Sequence, residues 1–477
     1  MDAMNLSHSP TNSLSWKTSF LWLALAVACF HGAYTSIQFP AAGLLIFGYA
    51  GFLVWLTDQP TVRRAFYFGL ATGFFSAAPQ TIFLWKIFGP AAIVLWLVFA
   101  FWIGLFAATV CGGIRRWGKG RTLWLIPIMW TGLEYFRSEL YYLKFSWLNV
   151  GYAVPQLLDC RVGMYGIGFI VFAVASAYFV LRWSIATIVF SFVIVAWALS
   201  LPSLAAYQNK SNHAQTKSPS IVGVQMEFPP ENVIPKMLSK ALAKNTNAEI
   251  FVLSEYTLDG PPSDSLKNWC RDNSRFVIVG GKDPVGTNNF YDTAFVIGTN
   301  GEIVFKQAKS VPIQFFHDGL PAQNHEVWNS PWGKIGICIC YDLSYTRVTD
   351  RLVKEGAQLL IVPTMDVEDW GRHEHELHAR VALVRAAEYG IPIFRVASSG
   401  ISQAVSRGGG VVSQAGFGKN GEVFSATLRL PTRGSIPIDR FLAPVCTGIT
   451  GVVLAWLLFL AWKDHRAIQP PPTTKSS

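Results

Sequence analysis

Lys334-Ile335-Gly336-Ile337-Cys338-Ile339-Cys340-Tyr341-Asp342 is the stretch that decides the fold. From Ile335 to Ile339 β-branched residues alternate with small ones, which suits a buried strand. Cys340 stands where the strand gives way to polar residues, and a helix is predicted to begin near Ser344. A cysteine at a strand-to-helix turn is presented at the edge of a sheet. Backbone N–H groups lie beside it, ready to hold an oxyanion. Alone, such a cysteine reads first as a small buried hydrophobe. The rest of the chain changes that reading.

The chain has 477 residues, of which 51% are hydrophobic and only 14% charged. An ordinary soluble protein carries about 25% charged residues. The deficit is local. Residues 17 to 204 and 441 to 462 are apolar, whereas 205 to 440 have the composition of a globular domain. The organisation read from this is a membrane domain over 1–206, a soluble domain over 207–440, and a final span with a disordered tail over 441–477. The net charge of +10 does not mark a nucleic-acid binder, because the basic residues sit at the ends of apolar segments, where they set topology. Cys29, Cys111, Cys160, Cys270, Cys338, Cys340 and Cys446 are scattered without metal-type spacing, so neither a disulfide framework nor a zinc site is expected.

A span needs roughly 20 apolar residues. Eight candidates occur, at about 18–38, 41–57, 65–86, 90–113, 122–138, 162–182, 184–204 and 441–462. The first reads as a retained helix and not a cleaved signal, since more spans follow it. Glu134 and Arg137 lie inside the fifth, where charges either serve function or pair at the interface. If the spans alternate, Lys17, Arg63, Arg64, Arg115, Arg116, Lys119, Arg121, Arg182, Lys463 and Arg466 share one face, which the positive-inside rule makes cytoplasmic. The soluble domain is then extracytoplasmic, with Lys86, Lys144 and Arg161 as the minority on its side. The loop Phe145-Ser146-Trp147-Leu148-Asn149-Val150-Gly151-Tyr152 reads either as an interfacial aromatic belt or as a re-entrant loop beneath the soluble domain.

Strand and helix patterns alternate through the soluble domain, which implies an α/β layered fold. Strands are expected at 220–225, 250–254, 276–280, 290–298, 302–307, 335–339, 359–363, 391–397, 401–407 and 422–430. Helices are expected at 231–245, 264–273, 345–355 and 373–389. Asn300-Gly301 signals a hairpin. Glu255, Lys309 and Cys340 each close a strand. A carboxylate takes a thiol proton, and an ammonium lowers a thiol pKa and steadies an oxyanion, so the three make a set for acyl transfer through a thioester. Lys306 is the alternate to Lys309. The latter shares a strand face with Gln307, and Lys306 points the other way.

These residues resemble the carbon–nitrogen hydrolase (nitrilase) superfamily. The resemblance rests on Ser254-Glu255, on Gly301-Glu302-Ile303-Val304 leading to Lys309, on Gly336 to Asp342, on Arg385 to Gly390, and on Ser399-Gly400-Ile401. The eight apolar segments, the Trp147–Tyr152 loop and Gly163–Phe169 narrow it to the apolipoprotein N-acyltransferases. The resemblance implies an αββα sandwich and a Glu255–Lys309–Cys340 triad, with the backbone N–H near Tyr341 in the oxyanion site. It further implies a phospholipid acyl donor, a diacylglyceryl-modified apolipoprotein acceptor, residence in the cell inner membrane with the catalytic domain on the periplasmic side, and neither metal nor organic cofactor. The chain departs from that family after Lys309, where a glutamate of the family's run is missing and Asp318 or Asp342 stands to replace it. Ser146 also stands where the family more often has proline.

The run Gly371-Arg372-His373-Glu374-His375-Glu376-Leu377-His378 lacks the spacing of a zinc helix and reads as the rim of the site or a solvent-facing turn. Trp370, Phe315 and Phe316 read as an apolar rim or as core. Gly408-Gly409-Gly410 reads as a turn. Two rival functions remain open at this stage, a membrane-tethered amidase and a non-catalytic membrane scaffold.

Overall fold

The computed structural model describes residues 14–35, 40–158, 161–181 and 218–468. The candidate span 184–204, Arg182, Cys160, most of the polar linker and the tail from Pro470 lie outside the described residues.

Among the described residues, the helices of ten or more residues before the sheets are α1 (Trp16–Tyr34), α2 (Leu45–Leu56), α3 (Val62–Gln80), α4 (Ala91–Trp117), α5 (Leu125–Tyr135) and α6 (Gly163–Leu181). Two helices among the described residues are long and apolar enough to cross a membrane, Ala91–Trp117 and Asp439–Arg466. The third candidate breaks after Pro79 and Gln80 and resumes as a short helix Phe83–Phe88, and the fifth passes into a π turn at Phe136–Leu140. Small residues let these helices approach closely. A Cβ on Gly69 of α3 would lie 2.8 Å from the Ile103 carbonyl of α4.

Of the two readings of Glu134 and Arg137, pairing with each other is not found among the described residues, while Arg137 lines the cavity that opens on Cys340. Glu134 Oε1 accepts from Val150 N (2.9 Å), and Arg137 donates to Phe145 O (2.8 Å) and Asn149 Oδ1 (2.5 Å). Both therefore tie the aromatic loop to α5.

Residues 220–427 build two six-stranded sheets. One runs β12-β1-β2-β3-β4-β5 and the other β11-β10-β9-β8-β7-β6. Their ranges are β1 (Ser220–Met226), β2 (Ile250–Leu253), β3 (Phe276–Val285), β4 (Asn289–Ile297), β5 (Ile303–Ala308), β6 (Val327–Ser330), β7 (Gly333–Ile337), β8 (Leu359–Thr364), β9 (Ile393–Ala397), β10 (Gln403–Val405), β11 (Val411–Gln414) and β12 (Asn420–Thr427). Each sheet has a parallel centre, β1-β2-β3 or β7-β8-β9, with antiparallel strands outside it. Strands β6 and β11 carry no strong apolar alternation and were not expected from the sequence.

Alternation builds the layers. Ile335, Ile337 and Ile339 face the other sheet, meeting Ile278 and Val296 in a core between the two. The outer face of the first sheet packs on α7 (Ile234–Lys244) and α8 (Asp264–Asn273) through Leu238 and Trp269. The outer face of the second packs on α9 (Thr346–Lys354) and α10 (Arg372–Tyr389). That third core is continuous with the N-terminal helices: Leu377 and Val381 share it with Phe30 and Tyr49. Helix α10 is accordingly buried on nearly every side.

The last helix, α11 (Asp439–Ile468), is clasped at its start. Arg440 reaches Asp350 (2.9 Å) and Glu388 (3.2 Å); Glu388 also pairs with Arg385 (2.5 Å) and accepts from Met164 N (2.6 Å). Glu388→Ala leaves two buried guanidinium groups short of a partner. A loss of about 3–5 kcal/mol is expected in denaturant unfolding of the micelle-bound protein. A loss below about 1 kcal/mol would contradict the clasp.

Candidate active site

Cys340 follows β7 with a left-handed φ of 49°, unusual for a residue with a side chain. By simple alternation its side chain would join Cys338 on the outer face. The turn instead places it with the core between the sheets. A short 3-10 helix, Cys340–Ser344, starts there, so the N–H groups of its first turn, including that of Tyr341, have no acceptor within the helix.

Glu255 and Lys309 arrive from the opposite sheet, just after β2 and β5. Lys309 Nζ lies 2.6 Å from Glu255 Oε1, 2.7 Å from Asp318 Oδ2 and 3.5 Å from Asp292 Oδ2, all buried. The second Glu255 oxygen accepts from Met365 N (2.6 Å), and Cys340 Sγ lies 3.8 Å from Met365 O, close enough to Glu255 for each to shift the other's pKa. The three residues expected to act together are thus brought together. Lys306 is not among them; it is half exposed and pairs with Asp283 at 2.9 Å.

The two aspartates weighed as replacements for the missing glutamate divide the work. Asp318 touches Lys309 and also accepts from Tyr256 Oη and Ile313 N. Asp342 accepts from the N–H groups of Ser310, Val311 and Ile339, so it staples the Lys309 segment to the cysteine loop and makes no ion pair with Lys309 among the described residues. Asp292 was missed. It follows the parity of Ala294 and Val296, which face the sandwich, and an acidic residue at an inward strand position was the available signal.

Charge explains the resting state. Burial alone would neutralise these groups. Against burial, Lys309 holds Glu255 below the usual carboxylate range, while Glu255 and Asp318 hold Lys309 well above its own. Burial and the Glu255 charge push Asp292 well up. The same two causes push the Cys340 thiol up. The site therefore rests as thiol and carboxylate, with the base already ionised. Glu255, Asp292 and Asp318 have the spacing of metal ligands, but the Lys309 ammonium already lies among their oxygens and supplies the positive charge.

A cavity of about 160 Å³ opens on Cys340 and Tyr341. Its far wall is apolar and belongs to the N-terminal helices and their loop, through Ala77, Phe83, Phe99, Trp102, Phe145 and Trp147. Phe315, Phe316 and Trp370 also line it, as a rim. Phe315 has a left-handed φ of 69°, and both phenylalanines meet Phe88 edge-on. The histidine run is not solvent-facing: His375 and His378 are buried, and His373 bonds Gln80 of α3 (2.7 Å).

Comparison with known proteins agrees with this division. The carbon–nitrogen hydrolase family model matches residues 205–437, and that of the apolipoprotein N-acyltransferase N-terminal domain matches 25–177. The apolipoprotein N-acyltransferase of Shewanella oneidensis is 23% identical, over 87% of this chain and 92% of that protein. That of Geobacter metallireducens is also 23% identical, over 80% and 85%. Omega-amidase NIT2-B of Xenopus laevis is 26% identical over 38% of this chain and 73% of its own.

Glu255→Gln removes the proton acceptor while keeping the volume. Alkylation of Cys340 by iodoacetamide at pH 7 should slow by about 10²-fold or more, read from the mass of the cysteine peptide. In the unsubstituted protein the rate should persist on acidification below the ordinary glutamate value of about 4.3, because the lowered pKa keeps Glu255 ionised there. An unchanged rate in Glu255→Gln would remove Glu255 as the base.

Proposed function

This chain belongs to the apolipoprotein N-acyltransferases of the carbon–nitrogen hydrolase superfamily, and from there we propose that Cys340 carries a fatty acyl chain from a membrane phospholipid to the α-amine of a diacylglyceryl-cysteine lipoprotein. It is a membrane-bound N-acyltransferase of lipoproteins. Glu255 takes the proton of the Cys340 thiol, and the thiolate attacks the ester carbonyl. Lys309 and the Tyr341 N–H hold the oxyanion. The lysophospholipid leaves with the proton from Glu255, and a thioester remains. The lipoprotein amine then displaces the thiol.

The observation that carries this reading is the wall of the cavity. The thiol opens onto apolar side chains from the N-terminal helices and not onto a polar cleft. A cavity near 150 Å³ holds about one small apolar ring, so a long acyl chain must run on past the mouth, toward lipid. Supporting the topology are the basic residues gathered on one face if eight spans alternate, which puts the hydrolase domain, 207–440, on the periplasmic side of the inner membrane, between the membrane domain 1–206 and the last span within 441–477.

The test supplies purified protein in phospholipid micelles with a diacylglyceryl-cysteine peptide. The peptide should gain one acyl chain as an equal amount of lysophospholipid appears, and Cys340→Ala should form neither. Turnover of small amides in place of this reaction would make it a tethered amidase. Silence in both assays from folded protein would make it a scaffold.

A further inference from the structure

A second buried acid–base pair shares the cavity with Cys340, and the triad does not use it. His378, on the second turn of α10, lines the cavity. Its Nδ1 lies 2.7 Å from Asp366 Oδ1, while Asp366 Oδ2 takes Arg395 Nη2 at 2.5 Å. The hydroxyls of Ser398 and Ser399 donate to the Asp366 carbonyl. Trp147, from the membrane-domain loop, stacks on the imidazole at 4.5 Å and 19°. His378 is 2% exposed, and its Nε2 has no partner among the described residues. Asp366 directly follows Met365, whose N–H binds Glu255 and whose carbonyl faces the Cys340 sulfur. The pair and the triad thus meet at adjacent residues.

The second half-reaction needs what this pair offers. The acceptor arrives as an ammonium, with an ordinary α-amino pKa of about 8, and an ammonium is not a nucleophile. Resting on the acyltransferase reading, we propose that His378, oriented by Asp366, is the base that takes the first proton from the incoming lipoprotein amine. Nε2 accepts one ammonium proton, and Asp366 stabilises the resulting imidazolium. The amine nitrogen bonds to the thioester carbon, and Glu255 takes a second proton. The C–S bond breaks, that second proton goes from Glu255 to the Cys340 sulfur, and the third stays on the new amide. The imidazolium releases its proton to solvent.

The surroundings suit the task. Asp366, Glu374, Arg395, His375 and Glu255 are the ionisable groups around the ring or its partner. Burial lowers the His378 pKa, so the ring rests neutral. Burial and the Asp366 charge push Glu374 well up. Asp366, Glu374 and His378 have metal-ligand spacing, but both Asp366 oxygens are already engaged, by Arg395 and by His378.

The experiment separates the half-reactions. Protein is first acylated on Cys340 in phospholipid micelles, then chased either with diacylglyceryl-cysteine peptide or with hydroxylamine, which is uncharged at neutral pH. In His378→Asn the thioester should form within a few-fold of the normal rate. The peptide chase at pH 7 should slow by about 10²-fold or more, whereas the hydroxylamine chase should not change. Equal slowing with both nucleophiles, or no slowing with the peptide, overturns the proposal. If the variant does not fold, the unsubstituted protein decides. Its transfer rate should stay flat below the pKa of the amine and fall only at the lowered pKa of His378; a fall centred near pH 8 overturns the proposal. Unsubstituted protein that forms no thioester at all overturns the acyltransferase reading, and this proposal with it.

Discussion

The arrangement depends on one buried ammonium. An unpaired charge such as Lys309 inside a protein costs several kcal/mol, and it is tolerated here because Glu255 and Asp318 close on it from two sides. Glu255 follows β2, Lys309 follows β5, and Asp318 lies in the loop beyond. The first sheet must therefore form before this cluster exists. One ammonium among three carboxyls leaves excess negative charge, and burial together with the Glu255 charge pushes Asp292 well up. Burial, with the Glu255 charge added to it, pushes the Cys340 thiol up as well, so the thiol keeps its proton until a substrate carbonyl is present.

The second constraint is the seam along α10. Its apolar residues join the core of the N-terminal helices to that of the sandwich, and its polar residues cross the same boundary. His373 meets Gln80, Arg380 lies over Tyr34, and Glu388 holds Met164 and Arg440. Trp147 comes up from the other side to stack on His378 and donate to Ser344 Oγ. His378 and Trp147 are buried where these meet, and a thioester outlives its formation only where water is excluded.

Much of this was legible in the sequence. Alternation at Ile335–Ile339 and the Asn300-Gly301 turn fix strands by local chemistry, and ten of the twelve strands are found close to where the periodicity puts them. Lys309 over Lys306 follows from strand parity. The edge strands β6 and β11 are short, and β11 is largely exposed, so they carry little apolar pattern. The ionic partners of Lys309 were only partly visible, because Asp292 and Asp318 reach it through tertiary contacts across three chain segments. The histidine run was half legible. Glu374 and His378 line the cavity beside Cys340, as the rim reading has it, but the run does not face solvent: His375 and His378 are buried under neighbouring elements, which no single helix pattern reports. Likewise Glu134 and Arg137 do not pair with each other; each takes loop backbone or side-chain groups that sequence separation conceals.

The lifetime of acyl-Cys340 without an acceptor tests the central claim most directly. Intact mass measured through time, after the phospholipid donor is removed, gives it. A thioester that persists for many turnover times, and vanishes promptly when the lipoprotein peptide is added, is the expected result. Hydrolysis as fast as turnover would mean that water reaches Cys340 freely, and that the helices beneath the sandwich do not make this hydrolase fold a transferase.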